Sequence, residues 1–227
     1  MLTREMRTIV ENARKTGWVL EPDAKRMLKL AGIAVPDFKV ALTAEEALTA
    51  AKRIRYPVVA KIVSPAVMHK SDVQGVKVGI RTADELKRVF DKFSAFEGFV
   101  GMLVEEMLPG LELILGAVND YQFGPVILMG IGGTGVEIYK DTVIRMAPVT
   151  EQDIPAMVNG LKGAELLRGH RGDESVSLQE LSRLMMSLSG LVMDLEDDLA
   201  SMDLNPVKCT GSRCVVADAR ILLKSGS

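Results

Sequence analysis

The sequence is poor in the residues that most often carry metal and redox chemistry: its 227 residues include two histidines and two cysteines. The cysteines, Cys209 and Cys214 in "CTGSRC", lack the second pair that a structural zinc site needs. Gly211 and Ser212 between them predict a hairpin turn on which the two thiols face each other. A disulfide is not expected in a reducing compartment, so both are read as reduced structural thiols. Charge of one sign is also missing. Lys and Arg number 28 against 30 Asp and Glu, a formal net charge of −2, and the charges are mixed along the chain with no basic block. Composition therefore gives no reason to expect nucleic acid or an anionic membrane as partner. No apolar run reaches the roughly 18 residues that span a bilayer. The first segment, "MLTREMRTIVENARKTG", carries acidic residues and lacks the apolar centre of a secretory signal. A cytoplasmic location is expected. Internal repeats and low-complexity linkers are absent as well.

What the sequence does have is apolar residues, 48% of the total, enough for a sizeable core. "EPDAKRMLKLAG" places Met27, Leu28 and Ala31 at helical spacing ahead of a capping glycine, Gly32. Thr43 with Glu46, Thr82 with Glu85 and Ser177 with Glu180 form capping-box patterns that predict helices over 43–54, 83–94 and 177–194. A further helix is expected near 150–160, its start weakened by Pro155. Between them lie β-rich runs at 57–63, 75–80, 99–107, 112–118, 125–131, 141–147 and 214–223. Helices alternate with strands, which gives an α+β or α/β class. The short Pro109-Gly110 connection between 99–107 and 112–118 permits a hairpin but no helical crossover, so a mixed sheet is expected. The 13 methionines are read as flexible core filler, with an interface or a ligand cleft as the alternative.

Four constellations carry candidate chemistry. Lys61 sits inside "PVVAKIV" with apolar neighbours on both sides, where an ammonium needs an anionic partner unless it snorkels to water. "GPVILMGIGGTGVEIYKD" puts Gly130, Gly132, Gly133 and Gly135 directly after an apolar strand. Glycines let backbone N–H groups approach a phosphate closely, although a plain hairpin turn makes the same demand. "MDLNPV" and "VVADARI" bring Asp203, Asn205 and Asp218 onto adjacent β segments. Oxygen ligands in small number suit Mg²⁺, which prefers one or two protein ligands with phosphates and water; for Asp218 alone, a turn-capping carboxylate is the other reading. "LVEEMLPGLELILG" offers Glu105, Glu106 and Glu112 around a turn, either as solvated carboxylates or, for Glu112, as an acceptor of ribose hydroxyls. His69 stands apart in the polar segment "SPAVMHKSDVQGV". A lysine, a glycine nest and a small number of oxygen ligands are the equipment for ATP.

Taken together, these residues resemble an ATP-grasp domain, and more closely the nucleotide-binding β subunit of ADP-forming acyl-CoA synthetases. The resemblance runs over about residues 18–227 and rests on "AGIAVPDF", "YPVVAKIVSPAVMHKSDVQGVKVGI", "VEEMLPGLELILG", "YQFGPVILMGIGGTGVEIYKD", "LLRGHRGD" and "LNPV" with "DARI", in the family's order. It implies two α+β lobes, about 18–100 and 101–227, with a nucleotide cleft between them, after an N-terminal helical extension over 1–17. It implies Lys61 on the nucleotide phosphates, Glu105 in the adenine hinge, Glu112 on the ribose, and Gly132, Gly133, Gly135 and Arg171 near the phosphates. It implies Asn205 and Asp218 as Mg²⁺ ligands, and His69 as acceptor of a phosphoryl group handed over by a CoA-binding α subunit in an α₂β₂ heterotetramer. The activity implied is an acid–CoA ligase interconverting acyl-CoA, ADP and phosphate with acid, CoA and ATP. A stand-alone carboxylate ligase and a non-catalytic nucleotide sensor are the alternatives. Two positions depart from the family pattern: Arg55 and Gln74 stand where it usually has glycine.

Overall fold

Thr43, Thr82 and Ser177 start helices, as their patterns predict. Their hydroxyls accept from the backbone N–H groups of Glu46, Glu85 and Glu180 at 3.2, 3.2 and 3.3 Å, satisfying donors that a first helical turn leaves open. Glu46 and Glu85 reach back in turn, accepting from the N–H of Leu42 at 2.7 Å and of Arg81 at 3.1 Å. The computed structural model describes residues 1–133, 141–169 and 174–224. In chain order their elements are α1 (Arg4–Ala13), β1 (Trp18–Val19), α2 (Glu21–Leu30), β2 (Phe38–Ala41), α3 (Ala44–Ile54), β3 (Val58–Val63), β4 (Val76–Ile80), α4 (Ala83–Ser94) and β5 (Gly101–Glu106), followed by β6 (Leu111–Asp120), β7 (Gly124–Ile131), β8 (Thr142–Met146), α5 (Asp153–Gly160), α6 (Ala164–Leu167), α7 (Leu178–Asp194), β9 (Leu199–Cys209), β10 (Cys214–Val216) and β11 (Arg220–Leu223).

The chain divides into two compact units, Pro36–Leu108 and Met1–Val35 with Pro109–Ser227. Expected lobes of 18–100 and 101–227 differ from these at both ends. β5 completes the smaller unit's sheet, and residues 18–35 belong with the larger unit because β1 pairs with β11, Trp18 opposite Leu222. In the smaller unit four strands run in the order β2-β5-β3-β4. Val58, Ala60, Ile62, Met102 and Val104 face a core shared with Ala47 and Ala51 of α3 and Leu86, Phe90 and Phe93 of α4. Alanines on α3 let that helix approach the sheet closely. Alternation then sends Val59, Lys61, Leu103 and Glu105 to the other face.

The larger unit is a seven-stranded sheet, ordered β1-β11-β9-β6-β7-β8 with β10 also on β9. Leu113, Leu115 and Ala117 of β6, Ile127 and Met129 of β7, and Met202, Leu204 and Val207 of β9 share a core with residues of α1, α2, α5 and α7. Glu112, Ile114 and Gly116 therefore point away from the helices. Every strand pairing among the described residues is antiparallel, which corrects the expected mixed sheet. In the smaller unit α3 does connect strands of like direction, β2 and β3, but β5 lies between them, antiparallel to both. The run expected as one strand over 214–223 is two, β10 and β11, with residues 217–219 between them in neither.

Candidate functional site

Lys61 and Glu105 lie on neighbouring strands. β3 and β5 set Val59 opposite Glu105 and Lys61 opposite Leu103, so the two charges are diagonal neighbours on one face, within reach of long side chains. Lys61 Nζ is 3.0 Å from a Glu105 carboxylate oxygen, and the residues are 5% and 2% exposed. The anion that an ammonium in "PVVAKIV" requires is thus in its own sheet, and the snorkelling alternative falls.

His69 is exposed on the connection between β3 and β4, residues 64–75. This loop is tied down on both sides of the histidine. Val67 is buried and its N–H donates to Ser64 O at 3.2 Å, while Gly75 N donates to Lys70 O at 2.7 Å. Gly75 has no room for a side chain, since a Cβ there would stand 2.5 Å from Ile62 Cγ2. The two departures from the family's glycine pattern are the two non-glycine residues with positive φ among those described: Arg55 at 79° and Gln74 at 51°. Glycine adopts that backbone freely and other residues do so at a cost. Gln74 additionally accepts a hydrogen bond from Lys92 Nζ at 3.0 Å.

Glu112, Gly132 and Gly133 form a second group. Gly132 N donates to Glu112 O at 2.7 Å, and a Cβ on Gly132 would stand 2.9 Å from the Glu112 backbone. Glycine is required there by close approach. Gly133 has φ 98°, and its missing Cβ would lie 3.9 Å from Glu112 Oε2. Lys208, which the sequence did not single out, stands directly opposite Glu112 across β6 and β9 and donates to Glu112 Oε1 at 2.7 Å. The pairing of strands so distant in sequence is what hid it. Gly135 and Arg171, and His170 with them, lie outside the described residues.

Asn205 and Asp218 come side by side. Val216 is opposite Val207 and Arg220 opposite Asp203, one continuous register that sets Asp218 against Asn205. Ala217 N donating to Pro206 O at 2.9 Å holds the segment in place. Asp218 is half-buried between β10 and β11 rather than within a strand, and Asn205 is exposed on β9. Asp203, the third oxygen residue of that group, accepts from Arg220 at 3.3 Å. No group of three or more His, Cys, Asp or Glu residues able to hold a metal occurs among the described residues. Two neighbouring oxygen donors, one of them a carboxylate, fit Mg²⁺, which takes its remaining ligands from phosphate and water.

Cys209 and Cys214 face each other at the β9–β10 hairpin, free and buried. A hydrogen bond with Cys214, and then burial, push the Cys209 thiol above its ordinary range, which makes it a poor nucleophile.

Residues 11–223 match the model of the ATP-grasp domain family. The chain is 38% identical over 226 residues to the β subunit of acetate–CoA ligase (ADP-forming) I from Pyrococcus furiosus, covering 96% of this chain and 97% of that protein. This chain belongs to the ATP-grasp family, among the β subunits of ADP-forming acetate–CoA ligases. Acetyl-coenzyme A synthetase 1 of Ca. Korarchaeum cryptofilum, in complex with coenzyme A and Ca-AMPCP, superimposes with a TM-score of 0.90 at 37% identity, over 96% of this chain and 99% of that one. A second structure of that synthetase holds coenzyme A and Mg-AMPPCP, its phosphohistidine segment pointing towards the nucleotide binding site. It matches with a TM-score of 0.84 at 37% identity, over 96% and 100% of the two chains. No helix among the described residues of this ATP-grasp chain is long and apolar enough to cross a membrane.

Proposed function

We propose that the chain is the nucleotide-binding subunit of an ADP-forming acyl-CoA synthetase, interconverting acyl-CoA, ADP and phosphate with the free acid, CoA and ATP. The observation that carries this reading is the match, at 38% identity, to nearly the whole length of a β subunit of that activity. In the direction of ATP synthesis an imidazole nitrogen of His69 attacks a phosphoryl group presented by a CoA-binding α subunit, and the N–P bond forms as the bond between phosphorus and its carrier on that subunit breaks, the electron pair leaving with the carrier. A β-phosphate oxygen of ADP then attacks phosphorus. The new O–P bond forms as the N–P bond breaks, and neutral imidazole is regenerated. Exposure of His69 on a loop anchored at Val67 and Gly75 supports its access to the phosphoryl donor and to ADP.

Phosphoryl transfer asks mainly for positioning and charge neutralisation. Lys61 neutralises phosphate, Glu105 lies at the adenine, Glu112 accepts from the ribose, and the backbone of Gly132 and Gly133 borders the phosphates. Gly135 and Arg171 join them. Asn205 and Asp218 would hold Mg²⁺, which would supply positive charge against the bound phosphates. The active assembly is an α₂β₂ heterotetramer in the cytoplasm.

Labelled ATP with Mg²⁺ tests the covalent step. The unaltered chain is expected to yield an acid-labile, base-stable phosphoprotein. His69→Ala and His69→Asn should both lose it and lose the full reaction by orders of magnitude, while each still binds Mg·ATP. A graded result, with asparagine partly active, would leave His69 as a phosphate contact and favour a ligase that forms acyl phosphate directly.

A further inference from the structure

We infer that Lys208 is a positioning residue of the nucleotide site. It holds one oxygen of Glu112 so that the other is presented to a ribose hydroxyl, and it thereby sets a preference for ribonucleotides over 2′-deoxyribonucleotides. This rests on the reading of Glu112 as the ribose acceptor and adds a residue and a selectivity to it.

The two carboxylate oxygens of Glu112 have different surroundings. Oε1 accepts from Lys208 Nζ at 2.7 Å. Oε2 lies on the side of Gly133, where the nearest side-chain position is empty because the residue is glycine. Backbone is fixed there too: Gly132 N donates to Glu112 O, and no side chain fits on Gly132 beside it. Among the described residues Oε2 has no hydrogen-bond donor, and with Gly132 and Gly133 beside it, it is the acceptor available for a hydroxyl.

Lys208 is what makes that arrangement specific. Val207 and Cys209 on either side of it are buried in the core, whereas Lys208 points to the other face with Glu112. Terminal carboxylate torsions are broad and roughly two-fold, so a Glu112 without a partner exchanges its oxygens and must be ordered when a ligand arrives. The ammonium removes that freedom in advance, which lowers the cost of binding. It also cancels the carboxylate charge, which would otherwise repel the polyphosphate of the same nucleotide. The pair is 22% and 36% exposed, open enough for a ligand to reach.

The test is calorimetric titration of the full chain with Mg·ADP and with its 2′-deoxy analogue. Lys208→Met should weaken ADP binding roughly five- to tenfold, somewhat less than the full worth of one hydrogen bond to a charged group, because Glu112 itself remains. The deoxy analogue, lacking the hydroxyl, should lose much less, so the preference for ribose collapses. Lys208→Arg, which keeps a cation opposite Glu112, should restore most of the preference. In the assembled enzyme the Lys208→Met defect should appear in KM for ADP with kcat little changed, because Lys208 touches no reacting atom. Equal losses for the two nucleotides, or no loss, in a folded variant would overturn the role of Lys208 while leaving the nucleotide site intact. An unaltered chain that binds neither nucleotide would overturn the nucleotide-site reading itself.

Discussion

Lys61–Glu105 in the smaller unit and Lys208–Glu112 in the larger one are the same chemical pair on neighbouring antiparallel strands, at 3.0 and 2.7 Å, but in opposite settings. Side chains of the first pair are 6% and 3% exposed, those of the second 22% and 36%. Each lies on the sheet face that the helices do not cover. What differs is water. A charge withdrawn from water costs several kcal/mol unless a partner compensates it, so Lys61 and Glu105 require each other. Lys208 and Glu112 are partly hydrated and separate at little cost. The same two residue types thus give a fixed element in one unit and an adjustable one in the other, and only the second pair separates at little cost.

The sharpest way to break this comparison is Lys61→Met. It leaves the Glu105 carboxylate buried without its ammonium and should cost about 3–5 kcal/mol, read as a lower midpoint in urea unfolding. Judged from Lys61 alone, losing a buried ammonium would leave stability unchanged or raised. Glu105 reverses that sign. Lys61→Met combined with Glu105→Leu should recover most of the loss, since replacing a whole buried pair by apolar residues is often neutral or stabilising. A single variant as stable as its parent would show that burial does not bind the pair together. A smaller effect, of opposite direction, is expected at Arg55, which has φ 79° and ψ 133° at the end of α3. Arg55→Gly should stabilise by about 1–2 kcal/mol, the relief of backbone strain less the added freedom of unfolded glycine. An unchanged unfolding midpoint would mean that the strain has no energetic weight. Smallest is Lys208→Met: stability should change by less than about 1 kcal/mol, and the difference should shrink as salt is added. A loss as large as that of Lys61→Met would erase the contrast between the two pairs.

Local signals in the sequence were legible and non-local ones were not, for a physical reason. The capping boxes at Thr43, Thr82 and Ser177 act within four residues, so their helices begin where the residues dictate. The "CTGSRC" turn likewise fixes which residues face each other on β9 and β10. Sheet order depends on packing between segments far apart, and the interposition of β5 between β2 and β3 leaves no trace in either strand. The same distinction governs the site. Lys61, Glu112 and the Gly132–Gly133 turn are visible because they break local patterns, a charge in an apolar run or glycines after a strand. Lys208 breaks nothing in its own strand and gains meaning only from the register that sets it against Glu112. Arg55 and Gln74 were legible as departures from a glycine pattern, while the backbone cost behind those glycines became visible in their φ angles.

The smaller unit's position within the chain sets an order of events during synthesis. The ribosome completes residues 36–108 before it has made β6 or anything after it, so the four-stranded sheet has all its strands while α1, β1 and α2 still lack the sheet they pack on. Domains generally form as units while the chain emerges, N-terminal ones first, at about 5–20 residues per second. Here the order is inverted for the first segment. Trp18 and Val19 must wait for Leu222 and Ile221, among the last residues described, and until then the apolar faces of α1 and α2 remain open to solvent or to a chaperone. The larger unit therefore closes late, after the smaller one has all its strands.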